Sequence, residues 1–170
     1  MYEGVKSLPG KELDRARLEL EAVMEKYSDT VYRIALTRLK SVQDAEDAYQ
    51  ETFLTYFKKD KRFSSEAHRR AWLIRVTLNC CKRELAKRSR HAALPLNEAD
   101  AAYEQEFQSP VITAVMELPE TLRMPIVLHY FEGLSAKETG SVLHVSESAV
   151  FMRLSRGRAA LKEKLNGEEL

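Results

Sequence analysis

The chain has 170 residues, of which 44% are hydrophobic and 31% charged, and its formal net charge is +1. That length allows one ordinary domain or two small ones, and the composition is typical of a soluble globular protein rich in helix formers. No window is as long and apolar as a membrane span, and the first residues lack the apolar run of a signal peptide. A cytoplasmic protein without membrane insertion is therefore expected.

Apolar side chains recur at three- and four-residue spacing in four segments of the first half of the chain. After a loose leader at residues 1–10, one helical pattern starts at Lys11 and a second runs through TVYRIALTRL. KSVQD interrupts it, with Ser41 as a helix cap, and DAEDAYQETFLTYFKK predicts a third helix. A charged, serine-rich loop precedes the fourth, HRRAWLIRVTLNCCKRELAKR. The side chains that this fourth helix is expected to bury are Trp72, Leu73, Val76, Cys80 and Leu85.

The composition changes after residue 90. Residues 91–110 combine small residues, acids and two prolines without a sustained period, which predicts a flexible linker with a possible short helix in its middle. Helical patterns return at Val111, and no segment has the pattern of a strand. The sequence thus predicts an all-α protein of two small helical domains, 11–90 and 111–170, joined by that linker.

The C-terminal segment LSAKETGSVLHVSESAVFMRLSRGR has the pattern of a helix-turn-helix. Ser135 and Glu138 form a capping box at the start of a short helix. Gly140 is small where two helices would cross closely, HVS makes a tight turn, and Ser146 can cap the next helix. An ordinary amphipathic helix with solvated arginines is the alternative interpretation.

The second helix of this motif divides into two faces at about 100 degrees per residue. Arg153 and Arg158 flank its apolar stripe, where their heads can reach phosphates, whereas short outward residues near the helix start suit base edges. The apolar stripe consists of Val150, Leu154, Gly157, Leu161 and Leu165. The opposite face consists of Ser148, Met152, Ser155, Arg156 and Ala159.

Charge is sorted into blocks along the chain. Residues 44–51 contain four acids and no base, whereas residues 58–90 contain twelve Lys or Arg and three acids. The acidic stripe is either a solvated face or a docking surface for a basic partner, because no histidine or further acid cluster nearby supports catalysis or a metal. In the basic block, Phe63 and Trp72 lie among the cations, a combination suited to single-stranded nucleic acid, although Trp72 favours a core position.

Cys80 and Cys81 are the only cysteines. Adjacent cysteines rarely bridge each other, and two thiols without a neighbouring Cys/His set make a poor zinc site. Two reduced thiols in a cytosolic helix are the simpler interpretation. Since no P-loop or nucleophile constellation is found either, the sequence predicts neither a cofactor nor an enzyme.

Three stretches together resemble one family. YRIALTRLKSVQDAEDAYQETFLTYF, then RF followed by AWLIRVTLN, and finally LPETLRMPIVLHYFEGLSAKETGSVLHVSESAVFMRLSRGRAAL are similar to bacterial sigma factors of the extracytoplasmic-function group, over residues 27–165. The resemblance implies sigma region 2 at 11–90 and sigma region 4 at 111–170. It also implies core RNA polymerase and promoter DNA, both duplex and melted, as partners, with an anti-sigma factor that holds the protein inactive.

The resemblance assigns three sets of site residues. Core-polymerase binding falls to Asp44, Glu46, Asp47, Gln50, Glu51 and Phe53. Recognition of the −10 element falls to Lys61, Arg62, Phe63, Ser64, Ser65, Glu66, His68, Arg69, Arg70, Arg75 and Asn79. Recognition of the −35 element falls to Arg123, as a phosphate contact, and to Ser148, Phe151, Met152, Arg153, Ser155, Arg156 and Arg158.

The chain departs from the family pattern in both domains. Ala149, Met152 and Gly157 replace Thr, Ser and Ala in the recognition helix, and Phe151 stands where a polar residue is common. Arg69 and Arg83 replace an aromatic and an aspartate, and both are expected to add charge beside the −10 strand. A DNA-binding regulator with an N-terminal helical sensor remains the alternative, followed by a helical nuclease.

Overall fold

The computed structural model describes residues 10–58, 63–90 and 109–167, and every regular element in these ranges is a helix. The all-α prediction is confirmed. Residues 1–9 of the leader, residues 91–108 of the linker, and Lys61 and Arg62 lie outside the described ranges. The helices are α1 (Gly10–Leu39), α2 (Val42–Lys58), α3 (Glu66–Arg90), α4 (Pro110–Glu117), α5 (Glu120–Ile126), α6 (Ala136–Leu143) and α7 (Glu147–Gly167), with a π-helical turn at Val127–Phe131. None of the helices in these ranges combines the length and hydrophobicity needed to cross a membrane.

Helix α1 corrects the prediction of two separate helices in this part of the chain. The two patterns form one continuous helix of 30 residues. Ser28 and Thr30, which favour helix caps, do not interrupt it, because Ser28 Oγ donates to Met24 O at 2.6 Å and Thr30 Oγ1 donates to the carboxylate of Glu132, which follows the π-helical turn. The predicted break follows at Lys40, whose φ is +53°, and Ser41 Oγ accepts from Asp44 N at 3.3 Å to cap α2.

Helices α1, α2 and α3 pack as an antiparallel bundle around an apolar core. The inward face predicted for α3 is buried at Leu73 and Cys80, whereas Trp72, Val76 and Leu85 are only half-buried. Thr52 and Thr77 are buried in the bundle without loss of a hydrogen bond, since each donates to a backbone carbonyl one turn earlier. The buried residues at the centre of the bundle include Val31, Ile34, Leu36, Leu73 and Ile74.

Helices α4 to α7 form a second small core, and α6 and α7 make the predicted helix-turn-helix. Its capping box is present, with Ser135 Oγ accepting from Glu138 N and Glu138 accepting from Ser135 N at 2.8 Å. His144 takes the left-handed conformation at φ +56° to close the turn, and Ser146 Oγ accepts from Ala149 N at 3.2 Å. The apolar side chains of this core include Val115, Leu118, Ile126, Val127, Val150 and Leu154.

Gly140 lies on α6 against the turn that leads into α7, where the sequence predicts a close crossing of the two helices. A Cβ at this position would lie 2.7 Å from the backbone oxygen of Val145 in that turn, so we expect Gly140→Ala to displace the turn and lower the free energy of unfolding by about 1–3 kcal/mol. Chemical denaturation measures this change. Lys137→Ala, at an exposed position of the same helix, is the matched control and should change stability by less than about 0.5 kcal/mol. Equal stability of the two variants would contradict the close approach.

Cys80 and Cys81 are buried free thiols, and burial raises the pKa of Cys81 to about 12. Because the unfolded thiol loses its proton first, stability is complete below about pH 9 and is lost as pH rises toward the folded pKa. The free energy of unfolding should therefore fall by roughly 1–2 kcal/mol between pH 8 and pH 10 through this group alone. Cys81→Ala should show a correspondingly flatter profile in urea denaturation. An unchanged profile would contradict the buried thiol.

Candidate nucleic-acid interface

The acidic face of α2 is presented to solvent beside the basic helix α3. Glu46, Asp47 and Gln50 are exposed. Asp44 and Glu51 are half-buried, because Asp44 Oδ2 lies 3.6 Å from Arg88 Nη1 and Glu51 Oε1 lies 3.6 Å from Arg83 Nη2. In the predicted acidic stripe, Glu46 and Asp47 are therefore exposed, whereas Asp44 and Glu51 are paired with arginines of α3. Arg83 is directed toward α2 by its ion pair with Glu51 and donates to Cys80 Sγ at 3.1 Å, and the expectation that it adds charge beside a −10 strand stays a prediction.

Phe53 is placed differently from the prediction that it binds a partner. It is only 4% exposed and packs edge-on to Tyr49 with ring centroids 4.9 Å apart. Direct contact with a partner is closed to it, because its position on α2 faces the bundle core. Leu54, which the sequence reasoning missed, is 46% exposed and lies three to four residues beyond Gln50 and Glu51 on the acidic face. Its signal was an apolar residue on the polar stripe of an amphipathic helix.

Phe63, at the start of the described part of the loop before α3, is half-buried in an aromatic cluster. Its ring is parallel to that of Tyr56 at 6.1 Å and edge-on to that of Trp72 at 5.8 Å. Arg69 Cζ lies 5.5 Å from the Phe63 centroid, within cation–π range. The ring of His68 lies edge-on to that of Phe63, with the centroids 5.5 Å apart. An aromatic platform with cations around it is the arrangement suited to an unstacked base.

The exposed residues after Phe63 are tied together by local hydrogen bonds. His68 N donates to Ser65 Oγ at 3.1 Å, and Ser64 Oγ lies 3.1 Å from His68 Nδ1. Glu66 Oε1 accepts from Tyr27 OH at 2.5 Å and lies 3.0 Å from Lys26 Nζ. These partners, Tyr27 first, lower the pKa of Glu66. Because its carboxylate is engaged by α1, Glu66 positions the start of α3.

Arg70, Arg75 and Asn79 point away from the aromatic cluster, toward the C-terminal helices. Arg70 is paired with Glu132, and Arg75 Nη2 donates to Ser141 Oγ at 3.4 Å. Arg75 and Asn79 also line an open cleft of about 430 Å³ between the two halves. The structure therefore separates the described residues that are predicted for the −10 element into a loop group, 63–69, and a group on the face that meets the C-terminal half.

Helix α7 presents the face predicted for the major groove. Its apolar stripe packs on α4 and α5, with Gly157 so close to Ile126 that a Cβ would lie 2.9 Å from Ile126 Cγ1. The small residue is thus explained by the crossing of two helices. Phe151 and Met152 are 55% and 53% exposed. The other exposed residues of this outward face are Ser148, Ser155 and Arg156, while Arg153 is half-buried and lines the cleft.

Arg123 contradicts the prediction that it contacts a phosphate. It is only 5% exposed, and its Nη1 donates to Met116 O at 3.0 Å and to Leu118 O at 2.7 Å. These carbonyls end α4 and lack partners within that helix, so the guanidinium closes the α4 terminus. Its charge-assisted hydrogen bonds hold α4 to α5 and do not reach solvent.

Arg158 is exposed, and its Nη1 donates to Tyr130 OH at 2.9 Å. Tyr130, which lies in the π-helical turn and is 50% exposed, was missed by the sequence reasoning. The contact limits the directions in which Arg158 can point, which reduces the entropy lost when it meets an anion.

The fold and these surfaces define a helical protein in which a three-helix bundle is followed along the chain by a helix-turn-helix domain. Residues 23–91 match the family profile described as Sigma-70 region 2, and residues 109–161 match the one described as Sigma-70, region 4. SigM of Mycobacterium tuberculosis (strain H37Rv), an ECF RNA polymerase sigma factor, is 28% identical over 153 residues, 88% of this chain and 78% of its own length. SigW of Bacillus subtilis (strain 168) is 26% identical over 162 residues, 84% of this chain and 87% of its own length.

Solved structures show the same fold. The sigma factor RpoE from Bartonella quintana, crystallised in complex with the anti-sigma factor NepR, has a TM-score of 0.69 at 19% identity and covers 87% of this chain and 97% of its own. CnrH, solved in complex with the cytosolic domain of CnrY, has a TM-score of 0.62 at 22% identity, with coverages of 91% and 95%.

The chain belongs to the sigma-70 family, in its extracytoplasmic-function group. It is a transcription initiation factor, not an enzyme, and directs promoter-specific initiation by RNA polymerase. The match of residues 23–91 to region 2 excludes the alternatives of a regulator with an unrelated sensor domain and of a helical nuclease.

Proposed function

We propose that three separate surfaces of this sigma factor divide the work of initiation. The acidic face of α2 docks on core RNA polymerase, the loop before α3 holds an unpaired base of the −10 element, and the outward face of α7 reads the −35 duplex. The domains that carry them would be residues 11–90 and 111–170, with 91–110 as the linker. One observation carries the proposal. The carboxylates of Glu46 and Asp47 are exposed on α2 and the side chain of Arg156 is exposed on α7, so the acidic surface and the basic surface lie on different helices.

The −10 assignment rests on the aromatic cluster. Phe63 packs on Tyr56 and Trp72, lies beside Arg69 and His68, and is only half-buried. Unpairing a base costs a few kcal/mol, and stacking on an aromatic ring returns about 1–3 kcal/mol of it. A second contribution comes from the C-terminal domain, since two tethered contacts raise the effective concentration of each other.

Transcription in vitro tests the proposal. Purified chain is added to core RNA polymerase and a library of genomic fragments, and run-off transcripts are sequenced. Transcripts that start at defined sites only in the presence of the chain support it. Initiation that is unaffected by Phe63→Ala, with the chain folded and bound to core, would remove the −10 assignment. We also propose a cytoplasmic location and, because the relative RpoE was crystallised with an anti-sigma factor, a partner of that class.

The exposed apolar pair on α7 is proposed to contact thymine methyl groups in the −35 element. Phe151 and Met152 lie in the first two turns of α7, the part of a recognition helix that meets base edges. Replacing −35 thymines by deoxyuridine removes only the methyl group, and we expect each contacted methyl to be worth about 0.8 kcal/mol, or roughly a fourfold change in affinity.

The control for this prediction is a pair of variants. Phe151→Ser should lose the difference between thymine and deoxyuridine, whereas Val111→Ser, which changes an apolar side chain of α4 that is 47% exposed, should keep it. Binding of the polymerase complex to the two forms of the promoter is compared by fluorescence anisotropy. Equal affinity of the unmodified chain for both forms would contradict the proposed contact.

A further inference from the structure

One buried carboxylate joins the two halves of the molecule. The side chain of Glu132 is 2% exposed, and three groups of the N-terminal bundle converge on it. Thr30 Oγ1 donates to its Oε2 at 2.9 Å, Arg33 Nε lies 2.9 Å from its Oε1, and Arg70 Nη2 lies 3.7 Å from its Oε2. Arg70 also donates to the backbone oxygen of Glu132. The Arg33 contact is an ion pair whose N–H does not point at the oxygen.

The backbone before Glu132 places it there. Pro125 lies inside α5 and has no N–H to donate, and the chain then changes to π-helical hydrogen bonding over Val127–Phe131. Glu132 N donates to Val127 O at 3.0 Å, which ends the turn. Gly133 follows with φ +67°, a conformation that glycine adopts without strain, and reverses the chain toward α6. The local backbone thus fixes the position of the Glu132 carboxylate.

An apolar cluster that contains residues of both halves extends the contact made by Glu132. Its members come from both halves, so its burial depends on their association and adds a hydrophobic contribution to the contact. Arg38 Nη2 and Glu120 Oε1, 3.0 Å apart, make a second ion pair across the same boundary. The buried residues of the cluster are Ile34, Ile74 and Leu78 from the bundle and Met124, Leu128, Leu134 and Val142 from the C-terminal half.

This association is incompatible with occupation of both promoter elements. Arg75 and Asn79, assigned to the −10 strand, line the same cleft as Arg153, assigned to the −35 duplex. The two elements are roughly 25 base pairs apart, which is about 85 Å at 3.4 Å per pair. Arg70, another −10 residue, is paired with Glu132 and would have to leave it to meet a nucleic acid.

We propose that Glu132 is a latch that holds the free sigma factor closed, with the α3 face of its −10 site covered by region 4. Promoter binding then requires the latch to open, so that the two halves separate. The proposal rests on the assignment of Arg70, Arg75 and Asn79 made above. It concerns the chain without polymerase, so it can fail while that proposed function stands.

The test reverses the charge of the latch in the full chain. Glu132→Lys puts a cation against Arg33 and Arg70, and Glu163→Lys, at an exposed position of α7, is the matched control. Small-angle X-ray scattering should give a radius of gyration of about 16 Å for the unmodified chain and the control, and about 19 Å or more for Glu132→Lys. The affinity for a fluorescent single-stranded DNA pool should rise about tenfold over that of the control.

Exchanging the charges of Arg33 and Glu132 keeps the test decisive if Glu132→Lys alone is unstable. Arg33→Glu combined with Glu132→Lys restores an opposite pair across the boundary, and it should return the radius of gyration most of the way toward 16 Å. Circular dichroism confirms that each variant retains its helices. An unchanged radius for Glu132→Lys would overturn the latch. A larger radius without tighter binding to DNA would overturn the claim that the latch covers the −10 face.

Discussion

Replacing both Glu46 and Asp47 with lysine should weaken association with core RNA polymerase by roughly 10- to 100-fold, because charges that meet an oppositely charged partner contribute on the order of 1–3 kcal/mol together. These two carboxylates are exposed and have no ion pair within the described part of the chain, so their charge is available to a partner. Glu51 and Asp44 are less suitable targets, since Arg83 and Arg88 already neutralise them. Titration of labelled sigma factor with core polymerase measures the change.

The control for this experiment carries the same charge change on another helix. Glu21 and Glu25 are exposed on α1, and the double lysine variant at these positions should bind core with unchanged affinity. Leu54→Ala tests the apolar part of the same surface against Leu18→Ala, which removes another exposed leucine. Equal affinities within both pairs would show that the acidic face of α2 is only a solvated surface.

Arg156→Ala should weaken binding of the polymerase complex to −35 duplex DNA by about 1–3 kcal/mol, or roughly 5- to 150-fold, with core affinity unchanged. The side chain is exposed on the outward face of α7 and has no intramolecular ion pair within residues 10–58, 63–90 and 109–167. A base contact would relax the preference for one base pair, whereas a phosphate contact would lower the salt dependence by about one unit of slope. Promoter fragments selected by run-off transcription supply the duplex.

The matched variant is Arg17→Ala, which removes the same side chain from an exposed position of α1. It should leave duplex affinity, its salt dependence and core affinity unchanged. Duplex affinity that is the same for both variants would show that a different face of α7 meets the DNA. The latch predicts a further difference, since Arg153, which lines the interdomain cleft, should become available only when the halves separate.

Local patterns were sufficient for the elements and for much of the recognition helix. The capping box at Ser135 and Glu138, the turn before Ser146 and the division of α7 into two faces depend on residues within a few positions of each other, so a sequence contains them directly. The same locality explains the error in α1. Ser28 and Thr30 favour caps, but α1 continues because Ser28 bonds a carbonyl of its own helix and Thr30 bonds Glu132, which is distant in the sequence.

The site residues show the same difference between local sequence patterns and tertiary contacts. Family resemblance places Phe53 and Arg123 among contacts to partners, because it reports positions and not exposure. Burial makes Phe53 a core residue and turns Arg123 toward the end of α4. Leu54 and Tyr130 are the converse case, since both side chains are exposed although neither belongs to the sets that the resemblance assigns.

The amino-acid sequence by itself determined the helical class, the order of the two domains, the caps and the family, because these follow from periodicity and from motifs a few residues long. Only the tertiary structure decided which charges are free, which are paired and how the halves meet. Glu132 illustrates the difference: its partners Thr30, Arg33 and Arg70 are distant in the sequence. Contacts over such separations depend on how whole helices pack, and no local pattern encodes that packing.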